Sequence, residues 1–270
     1  MRFSVLLSLY AKELPDNLQQ CLNSILVNQT VLPQEVVLVL DGPLPNELQL
    51  LVANYQSKFP IIKTVALPVN QGLGKALKIG IEHCQCEWIA RMDTDDIAHK
   101  QRFEKQINYL QTHPELTAVG SFMAEFTQTT TDVVAIKKVP VTIKEVIKYA
   151  CYRNPINHPT VFFNKQAVLA VGSYEDVPLF EDFYLWHKLI HHQYQLGNVP
   201  EVLLYFRIGN NALSRRHGWQ YLHKEVHFFK KLYSQSFIPL KAFLLVFIVR
   251  TPMRLLPLGV LKKVYQLFLR

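Results

Sequence analysis

Short apolar runs alternate with segments of helical periodicity along the first hundred residues. The runs at residues 3–9, 35–42, 61–67 and 87–92 have the length and composition of buried strands. Three helices are predicted between them, beginning near Pro15, near Asn46 and within the glycine-containing segment 70–84. Strands that alternate with helices of this length predict an α/β fold with a largely parallel sheet.

The second half of the chain has a less regular pattern. It predicts helices at 100–113, near 142–152 and at 180–192, and strands at 117–126 and 201–207. Residues 127–132, TQTTTD, are typical of an exposed turn. Beyond Arg207 the pattern is helical and basic to the end, which predicts a helical C-terminal extension.

Polar residues lie at or just beyond the carboxyl ends of three predicted strands. They are Ser8 and Tyr10 at the first strand, Asp41 at the second, and the cluster Asp93–Asp96 at the fourth. Ligands of open parallel sheets bind outside the carboxyl ends of the strands. We therefore expect these residues to face one crevice.

The segment RMDTDD places three carboxylates, Asp93, Asp95 and Asp96, within four residues. Like charges this close favour the neutral form unless a cation lies among them. Carboxylates two residues apart on a turn can face one ion, and oxygen ligands suit Mg²⁺ or Mn²⁺. The alternative is a solvated turn in which an aspartate caps the next helix. For Asp96, a cap or a supporting role fits the pattern as well as direct ligation does.

Three further segments carry candidate chemistry, each with a structural alternative. NQGLGKA departs from the phosphate-loop pattern, but its amides and Lys75 can lie near a nucleotide; the alternative is a plain loop. Glu181 and Asp182 lie at a predicted helix start, either as charges that favour the helix dipole or as a general base in apolar surroundings. His158, between two prolines, is either a structural histidine or a ligand.

The remaining histidines on predicted helices show no convincing metal spacing. We predict that they are surface residues: His187, His191, His192, His217, His223 and His227.

Charge is distributed unevenly along the 270 residues. The net charge is +8, but the stretch from Val226 to Arg270 has eight basic residues and no acidic one, so residues 1–225 are formally neutral. Because the basicity belongs to the tail and not to the domain, no nucleic-acid partner is expected.

The tail is apolar as well as basic. Its longest uncharged apolar run, residues 242–249, is far shorter than the ~20 residues of a spanning helix. A segment that lies in an anionic membrane surface fits this composition, and the alternative is a helical cap packed on the domain.

The cysteines and the N-terminus are consistent with a cytoplasmic chain. The four cysteines form no zinc spacing, and sparse unpaired cysteines fit a reducing cytosol. The start, MRFSVLLSLYAKE, is predicted to be the first core strand and not a signal peptide.

Seven segments taken together resemble the family 2 glycosyltransferases, which are inverting enzymes with the GT-A fold. The similarity is greatest to those that build bacterial surface polysaccharide and lipooligosaccharide. The segments, which cover roughly residues 3–215, are FSVLLSLYAKE, EVVLVLDGP, NQGLGKALKIGI, WIARMDTDDIAHKQRFEKQ, NPINHPTVFF, FEDFYLWHKL and YFRIGNNALSRR.

The resemblance implies a mixed, mostly parallel sheet flanked by helices. It implies a glycosyltransferase domain at residues 1–215, with a nucleotide-binding half at 1–99 and an acceptor half at 100–215. The basic helical segment at 216–270 would associate with a membrane.

The resemblance also implies roles for individual residues on the donor side. Asp93 and Asp95 form a DxD motif that would hold Mg²⁺ or Mn²⁺, with Asp95 as the direct ligand and Asp93 nearer the ribose and metal. The nucleotide would be bound by Ser8, Tyr10, Asp41, Lys75 and Asp93.

On the acceptor side, the resemblance makes Asp182 the general base. The acceptor or diphosphate side would be shaped by His158, Glu181, Trp186 and Arg207. The segment FRIGNN departs from the family, because many relatives have a histidine shortly after the arginine and Gly209 stands nearby here.

These roles imply transfer of a sugar from a nucleotide-sugar, expected to be a UDP-sugar, to a hydroxyl of a growing bacterial surface glycan or lipid-linked oligosaccharide. Asp182 would take the acceptor proton, the metal would neutralise the leaving diphosphate, and the anomeric carbon would invert. The chain would be peripheral on the inner face of the bacterial cytoplasmic membrane.

Other functions remain as alternatives. A haloacid-dehalogenase-type phosphatase is one, because DTDDI partly imitates D-x-D-x-[TV]. A non-catalytic membrane-bound scaffold is another. A nucleotidyltransferase is less consistent, because SLYAKELPDN lacks the glycines of its phosphate loop.

Overall fold

The structure, a computed structural model, describes residues 1–208 and 218–255. Its strands are β1 (Phe3–Leu9), β2 (Glu35–Leu40), β3 (Ile62–Ala66), β4 (Trp88–Arg91), β5 (Ile97–Ala98), β6 (Leu116–Phe126), β7 (Val133–Lys137), β8 (Phe162–Asn164) and β9 (Gln195–Arg207). Its helices are α1 (Pro15–Leu26), α2 (Asn46–Lys58), α3 (Leu73–His83), α4 (Arg102–Thr112), α5 (Ile143–Ala150), α6 (Lys165–Ala170), α7 (Glu181–His191), α8 (Trp219–Ser234) and α9 (Leu240–Leu255). A 3₁₀ turn, His158–Thr160, precedes β8.

One sheet runs through both predicted halves of the domain, in the order β3-β2-β1-β4-β8-β6-β9-β5, with β7 paired to β6. The strands from β3 to β4 are parallel to one another. Strand β8 joins the halves, because it pairs antiparallel with both β4 and β6. The predicted mixed sheet flanked by helices is confirmed.

The central strands are apolar on both faces because helices cover both sides of the sheet. On β1, Leu7 packs into the core with α1, α2 and α4, whereas its neighbour Leu6 packs into the core with α3, α6 and α7. Successive strand residues point to opposite faces, so a continuous apolar run is what a strand buried on both faces requires.

The adjacent ends of β1, β2 and β4 define where a ligand can bind. In the register of the sheet, Leu9 pairs with Leu40 and Leu6 pairs with Arg91. The polar residues that follow these strands are therefore neighbours at one edge, as predicted.

Strand β9 begins at Gln195 rather than at residue 201 as predicted. Pro200 suggests a break because proline lacks an amide donor. The strand continues past it because the β6–β9 register shifts at that point, between the pairs Ser121–Val199 and Phe122–Val202.

Helices α8 and α9 pack on α7 through an aromatic cluster that includes Phe180, Phe183 and Phe228. Below α9 the buried Glu225 carboxylate accepts from Arg250 Nη1 at 2.5 Å and from Arg254 Nε at 2.8 Å. Arg250 Nη2 also donates to the carbonyl of Tyr152, in the loop after α5. Within residues 1–208 and 218–255, no helix has the length and apolar character needed to span a bilayer.

Candidate active site

The predicted nucleotide residues lie at the expected edge of the sheet. Tyr10 and Asp41 line a cavity of about 300 Å³, together with Ala11, Lys12, Gly42, Pro43 and Asn70. Ser8 is half-buried one residue before the end of β1. The cavity is at the lower end of the ~300–1,000 Å³ range of small-molecule sites.

Asp41 orders the loop that forms one wall of this cavity. Its Oδ1 accepts from the amide of Gln71 at 2.7 Å, and its Oδ2 accepts from Asn70 Nδ2 at 3.0 Å and from the amide of Gly72 at 3.1 Å. Gly42 adopts φ +90°, and a Cβ there would lie 2.7 Å from the Asn70 nitrogen. Only glycine fits this approach of the two loops. Contact of Asp41 with a nucleotide stays a prediction.

Lys75 lies in the first turn of α3 and pairs with Asp176, at 2.9 Å, in the loop before α7. The two side chains are 51% and 63% exposed. Exposed pairs contribute little free energy. A diphosphate can therefore replace Asp176 as the partner of Lys75, whose donor role stays a prediction.

Asp93 is held by a buried arginine two residues before it. The guanidinium of Arg91, 1% exposed at the end of β4, donates to both oxygens of Asp93, from Nη1 to Oδ2 at 3.0 Å and from Nη2 to Oδ1. Bidentate pairs fix geometry as well as charge. The Asp93 side chain remains 29% exposed, so it is both positioned and accessible.

Asp95 and Asp96 are more strongly affected by burial. Asp96 is fully buried; its Oδ1 accepts from the Arg207 amide at 3.0 Å, and its Oδ2 has no hydrogen-bond partner among the described atoms. Burial, followed by the charges of Asp93 and Asp95, raises the pKa of Asp96 well above its ordinary value. For the half-buried Asp95, burial and then Asp93 and Glu13 raise the pKa to about 7.

These residues fit a divalent cation that is held jointly by protein and substrate. Across the two described ranges, no cluster of three or more His, Cys, Asp or Glu side chains could hold a metal by itself. Mg²⁺ commonly takes only one or two carboxylates plus substrate phosphates, and Asp93 and Asp95 supply such oxygens. Arg91 already engages both oxygens of Asp93, and direct ligation by Asp95 stays a prediction.

Arg207, at the end of β9, ties that strand to the acidic turn. Besides its amide contact with Asp96, its Nε donates to the carbonyl of Asp95 at 3.0 Å, and its Nη2 donates to Gln20 Oε1 at 2.9 Å. The guanidinium carbon lies 4.6 Å from the ring centroid of Phe126. Arg207 thus supports the turn, and its diphosphate or acceptor role stays a prediction.

Asp182 and Glu181 begin α7, next to the start of α3. A Cβ on Gly74 would lie 2.8 Å from Glu181 Cγ, so this glycine permits the two helix starts to approach. Asp182 is half-buried, and its Oδ2 accepts from Asn154 Nδ2 at 2.5 Å. Burial raises the pKa of Asp182, and the bond from Asn154 opposes that rise. Burial also raises the pKa of Glu181.

His158 and Trp186 pack against each other near this helix. His158 Nε2 lies 2.7 Å from Tyr174 Oη, and the His158 ring meets the Trp186 ring edge-on with centroids 6.2 Å apart. Burial lowers the pKa of His158 well below its ordinary value, so the imidazole is neutral. Trp186 is 0% exposed and offers no surface to a ligand, so any effect on the acceptor side would be indirect, as through its contact with His158.

The charge of Arg91 connects the acidic turn to the base. It acts to lower the pKa of Asp95 and Asp96 on one side, and of Asp182 on the other. Coulombic interactions weaken with distance, so groups that feel one buried cation are close together. The predicted donor turn and the predicted base therefore both lie near Arg91; that they form one active site stays a prediction.

Residues 4–172 match the sequence model of Glycosyl transferase family 2. The chain belongs to this family. Among proteins similar to this chain, an uncharacterized glycosyltransferase of Haemophilus influenzae is 45% identical over the whole of both chains. The amylovoran biosynthesis glycosyltransferase AmsE of Erwinia amylovora is 38% identical over 98% of each chain. A UDP-Gal:alpha-D-GlcNAc-diphosphoundecaprenol beta-1,3-galactosyltransferase of Escherichia coli is 34% identical over 99% of this chain and 98% of its own.

The fold of this family 2 chain is similar to that of S. aureus TarS. The TarS 1–349 structure in complex with UDP-GlcNAc superposes with a TM-score of 0.64 at 17% identity, covering 86% of this chain and 66% of that one. The chain spans 43% of the longer TarS structure, with a TM-score of 0.59. The predicted GT-A fold is confirmed.

Two residues of the family 2 site were not among those predicted from sequence. Arg91 carries a usable signal, because a charge inside the buried run WIARM requires a buried partner and Asp93 follows it directly. Asn154 carries only the signal of an Asn-Pro turn, which gives no indication of contact with Asp182.

The prediction that His187 is a surface residue is wrong. His187 is 2% exposed and lies between the rings of Phe183 and Phe237, and burial lowers its pKa to about 3. The reason is that α8, α9 and their connection cover this face of α7. The described histidines that are exposed, as predicted, are His191, His192, His223 and His227. His217 and Gly209 lie outside the described residues.

Proposed function

We propose that this chain transfers a sugar from a UDP-sugar to a hydroxyl of a lipid-linked precursor of a bacterial surface glycan, with inversion at the anomeric carbon. The observation that carries the proposal is that Arg91, which holds Asp93 directly, also lies close enough to Asp182 for its charge to act on that carboxyl. A base near a donor site is what a direct displacement requires.

The reaction uses Asp182 as the general base. The carboxylate takes the proton of an acceptor hydroxyl while the oxygen attacks the anomeric carbon. The new carbon–oxygen bond forms on the face opposite the nucleotide as the bond to the diphosphate oxygen breaks, and its electron pair leaves with the diphosphate. The raised pKa of Asp182 suits a proton acceptor that works near neutral pH.

The departing diphosphate requires positive charge beside it. Asp93 and Asp95 would hold Mg²⁺ or Mn²⁺, which when bound neutralises charge on the leaving group. Lys75 adds a cation on the opposite helix start and can exchange Asp176 for a phosphate oxygen. Arg91 keeps Asp93 in place throughout.

The similar proteins support the proposed substrates. The Escherichia coli relative is described as using UDP-Gal and a GlcNAc-diphosphoundecaprenol acceptor. The Erwinia relative is described as an amylovoran biosynthesis enzyme, and TarS has been solved with UDP-GlcNAc and with UDP. A UDP-hexose or UDP-N-acetylhexosamine donor and a GlcNAc-diphosphate-lipid acceptor are therefore the first pair to test.

The first experiment is a donor panel. UDP-glucose, UDP-galactose, UDP-GlcNAc and UDP-GalNAc are each added with Mn²⁺ or with EDTA, and the melting temperature is recorded. We expect one donor with Mn²⁺ to raise it by roughly 5 °C at saturating concentration. The same donor should then glycosylate a short-chain GlcNAc-diphosphate-lipid, with product NMR reporting the inverted anomeric configuration.

The panel also separates the alternatives. Absence of metal-dependent nucleotide binding would favour the non-catalytic scaffold. Hydrolysis of simple phosphomonoesters without any nucleotide sugar would favour the phosphatase, which the family assignment already opposes. Retention of anomeric configuration in the product would contradict the single displacement.

The exposed face of α9 supports attachment to a membrane surface. One side of the helix packs inward through Ala242 and Val246, and Arg250 and Arg254 hold Glu225. Around the rest of the helix, large apolar side chains are 46–67% exposed: Leu240, Leu244, Leu245, Phe247, Ile248 and Val249. An apolar face on an acid-free, basic segment fits an anionic bilayer surface.

Replacing Leu244 and Ile248 together by Glu tests this attachment. We expect the fraction that floats with phosphatidylglycerol-containing vesicles to fall at least roughly 10-fold, because two apolar contacts are lost and two negative charges are added. The matched control replaces Leu32 and Leu50, which are 57% and 72% exposed elsewhere. If the Leu244/Ile248 double variant floated as well as the control double variant and the wild type, the membrane hypothesis would be wrong.

A further inference from the structure

Asn154 is the side-chain partner that engages the proposed base directly. It lies between α5 and the 3₁₀ turn, and its Nδ2 donates to Asp182 Oδ2 at 2.5 Å. Asn154 belongs to neither the acidic turn nor the nucleotide cavity. Among the proposed site residues, its side-chain hydrogen bond is therefore to the base, and the inference drawn from it rests on the proposed function.

The direction of the Asn154 amide is fixed by its own chain. Its Oδ1 accepts from the backbone N–H of Ile156 at 3.3 Å. An amide that uses its oxygen in this way presents its NH₂ group on the other side, so Asp182 faces a donor and not an acceptor. Pro155 further restricts the backbone of Asn154.

We propose that Asn154 is the positioning residue of the base: its amide holds Asp182 Oδ2 so that Oδ1 stays directed at the acceptor hydroxyl. A carboxylate at the first turn of a helix can rotate about its terminal torsion, which is broad for Asp. A short bond from a fixed side-chain amide restricts that freedom. Correct placement of a base within hydrogen-bond reach of its proton is the first requirement of general-base catalysis.

The same bond also favours the ionised form of Asp182. Burial raises the pKa of Asp182, whereas the Asn154 bond, the Phe183 amide and the charges of Arg91 and Lys137 oppose the rise. Glu181 and Tyr174 are the other titratable groups whose charges interact with Asp182. Asn154 is the foremost of the opposing influences. Its removal should therefore move proton release by Asp182 to higher pH.

Two substitutions distinguish loss of the bond that positions Asp182 from a general loss of stability. Asn154→Ala removes the donor, and Asn154→Asp removes the donor but keeps an oxygen for the Ile156 amide. The control is Asn164→Ala, which removes an asparagine that caps α6 at 3.1 Å and bonds Glu87 at 3.0 Å, away from the site. A general loss of stability would affect the control as much as the Asn154 variants.

The experiment measures the titration of Asp182 and the pH dependence of transfer together. The carboxyl of Asp182 is followed by NMR in ¹³C-aspartate-labelled protein, with Asp182→Asn identifying the signal. For Asn154→Ala we expect the midpoint to rise by about one pH unit and kcat to fall roughly 10- to 100-fold. The donor KM should stay unchanged. The pH at which kcat falls to half on the acid side should rise together with the NMR midpoint. Asn154→Asp should raise both of these midpoints further.

The outcomes distinguish this inference from the proposed function. An unchanged Asp182 midpoint in both variants would overturn the inference, whether or not sugar is transferred. A wild-type chain that transfers no sugar would overturn the proposed function, while the NMR midpoint would still test the role of Asn154. Equal shifts in Asn164→Ala would also overturn the inference.

Discussion

Replacing Asp182 by Asn is expected to lower the rate of sugar transfer about 1,000-fold while leaving donor binding intact. The amide has nearly the shape of the carboxylate but cannot take a proton from the acceptor hydroxyl. Asp93, Asp95 and Lys75 are untouched, so the donor and its metal should bind with affinity within about two-fold of the wild type. Initial rates and calorimetric titration with the donor measure the two quantities separately.

The raised pKa of Asp182 also predicts the direction in which the pH dependence of activity is shifted. Because burial raises the pKa of Asp182, wild-type activity should fall, as the pH decreases, at a midpoint above the ~3.9 of an ordinary aspartate. The residual activity of Asp182→Asn should show no such limb. Asp132→Asn, the same chemical change in an exposed turn, is the control and should behave as wild type. Full turnover by Asp182→Asn would show that another group is the base.

Replacing Asp95 by Asn should remove metal-dependent donor binding and lower transfer roughly 100-fold. Unlike Asp182→Asn, this variant should lose both affinity and rate, because the lost carboxylate is the proposed direct ligand of the cation. Donor titration with Mn²⁺ and with EDTA gives the measurement, and the two curves should coincide for the variant. Asp16→Asn, an exposed acid in the first turn of α1, is the control. Unchanged Mn²⁺-dependent affinity in Asp95→Asn would rule out Asp95 as a ligand.

Stability separates this loss of function from misfolding. The pKa of Asp95 in the folded chain, about 7, is higher than the ~3.9 of an unfolded aspartate. Asp95 therefore lowers the free energy of unfolding progressively as the pH rises from ~4 to about 7, because the unfolded chain loses the proton more readily. Above that range the decrease is complete. Since Asn carries no charge, the metal-free variant should melt no lower than wild type at pH 8. A lower melting temperature would mean that Asp95 has a structural role.

The parallel half of the fold follows from the sequence because its strands are continuous apolar runs. Strands β1 to β4 and helices α1 to α3 lie close to the predicted bounds. Three short elements outside this alternating pattern were not predicted: β5, β7 and α6. The pairing of β8 with both β4 and β6 joins residues far apart in the chain, and no local pattern encodes it.

Site residues could be predicted from the sequence where polar side chains follow a strand. They could not be predicted where their position depends on tertiary packing. Asp93, Asp95 and Asp41 follow strands, and parallel-sheet geometry brings them together. Trp186 lies one turn after Asp182 on the same face of α7, but the packing around that turn buries it completely. Asn154 reaches Asp182 only because the loop after α5 folds against α7, which depends on tertiary contacts.

Helix α9 has consequences for how the two substrates reach the site. Its exposed surface is largely apolar. On its inward side, Arg250 donates a hydrogen bond to the carbonyl of Tyr152, two residues before Asn154. If the exposed surface of α9 lies on a bilayer, the hydrogen bond from Arg250 to Tyr152 helps to fix the orientation of the proposed site relative to the bilayer plane. A lipid-linked acceptor would then arrive by lateral diffusion in two dimensions, whereas the nucleotide sugar would arrive from bulk water. The lengthened glycan would stay in the plane, available to the next transferase.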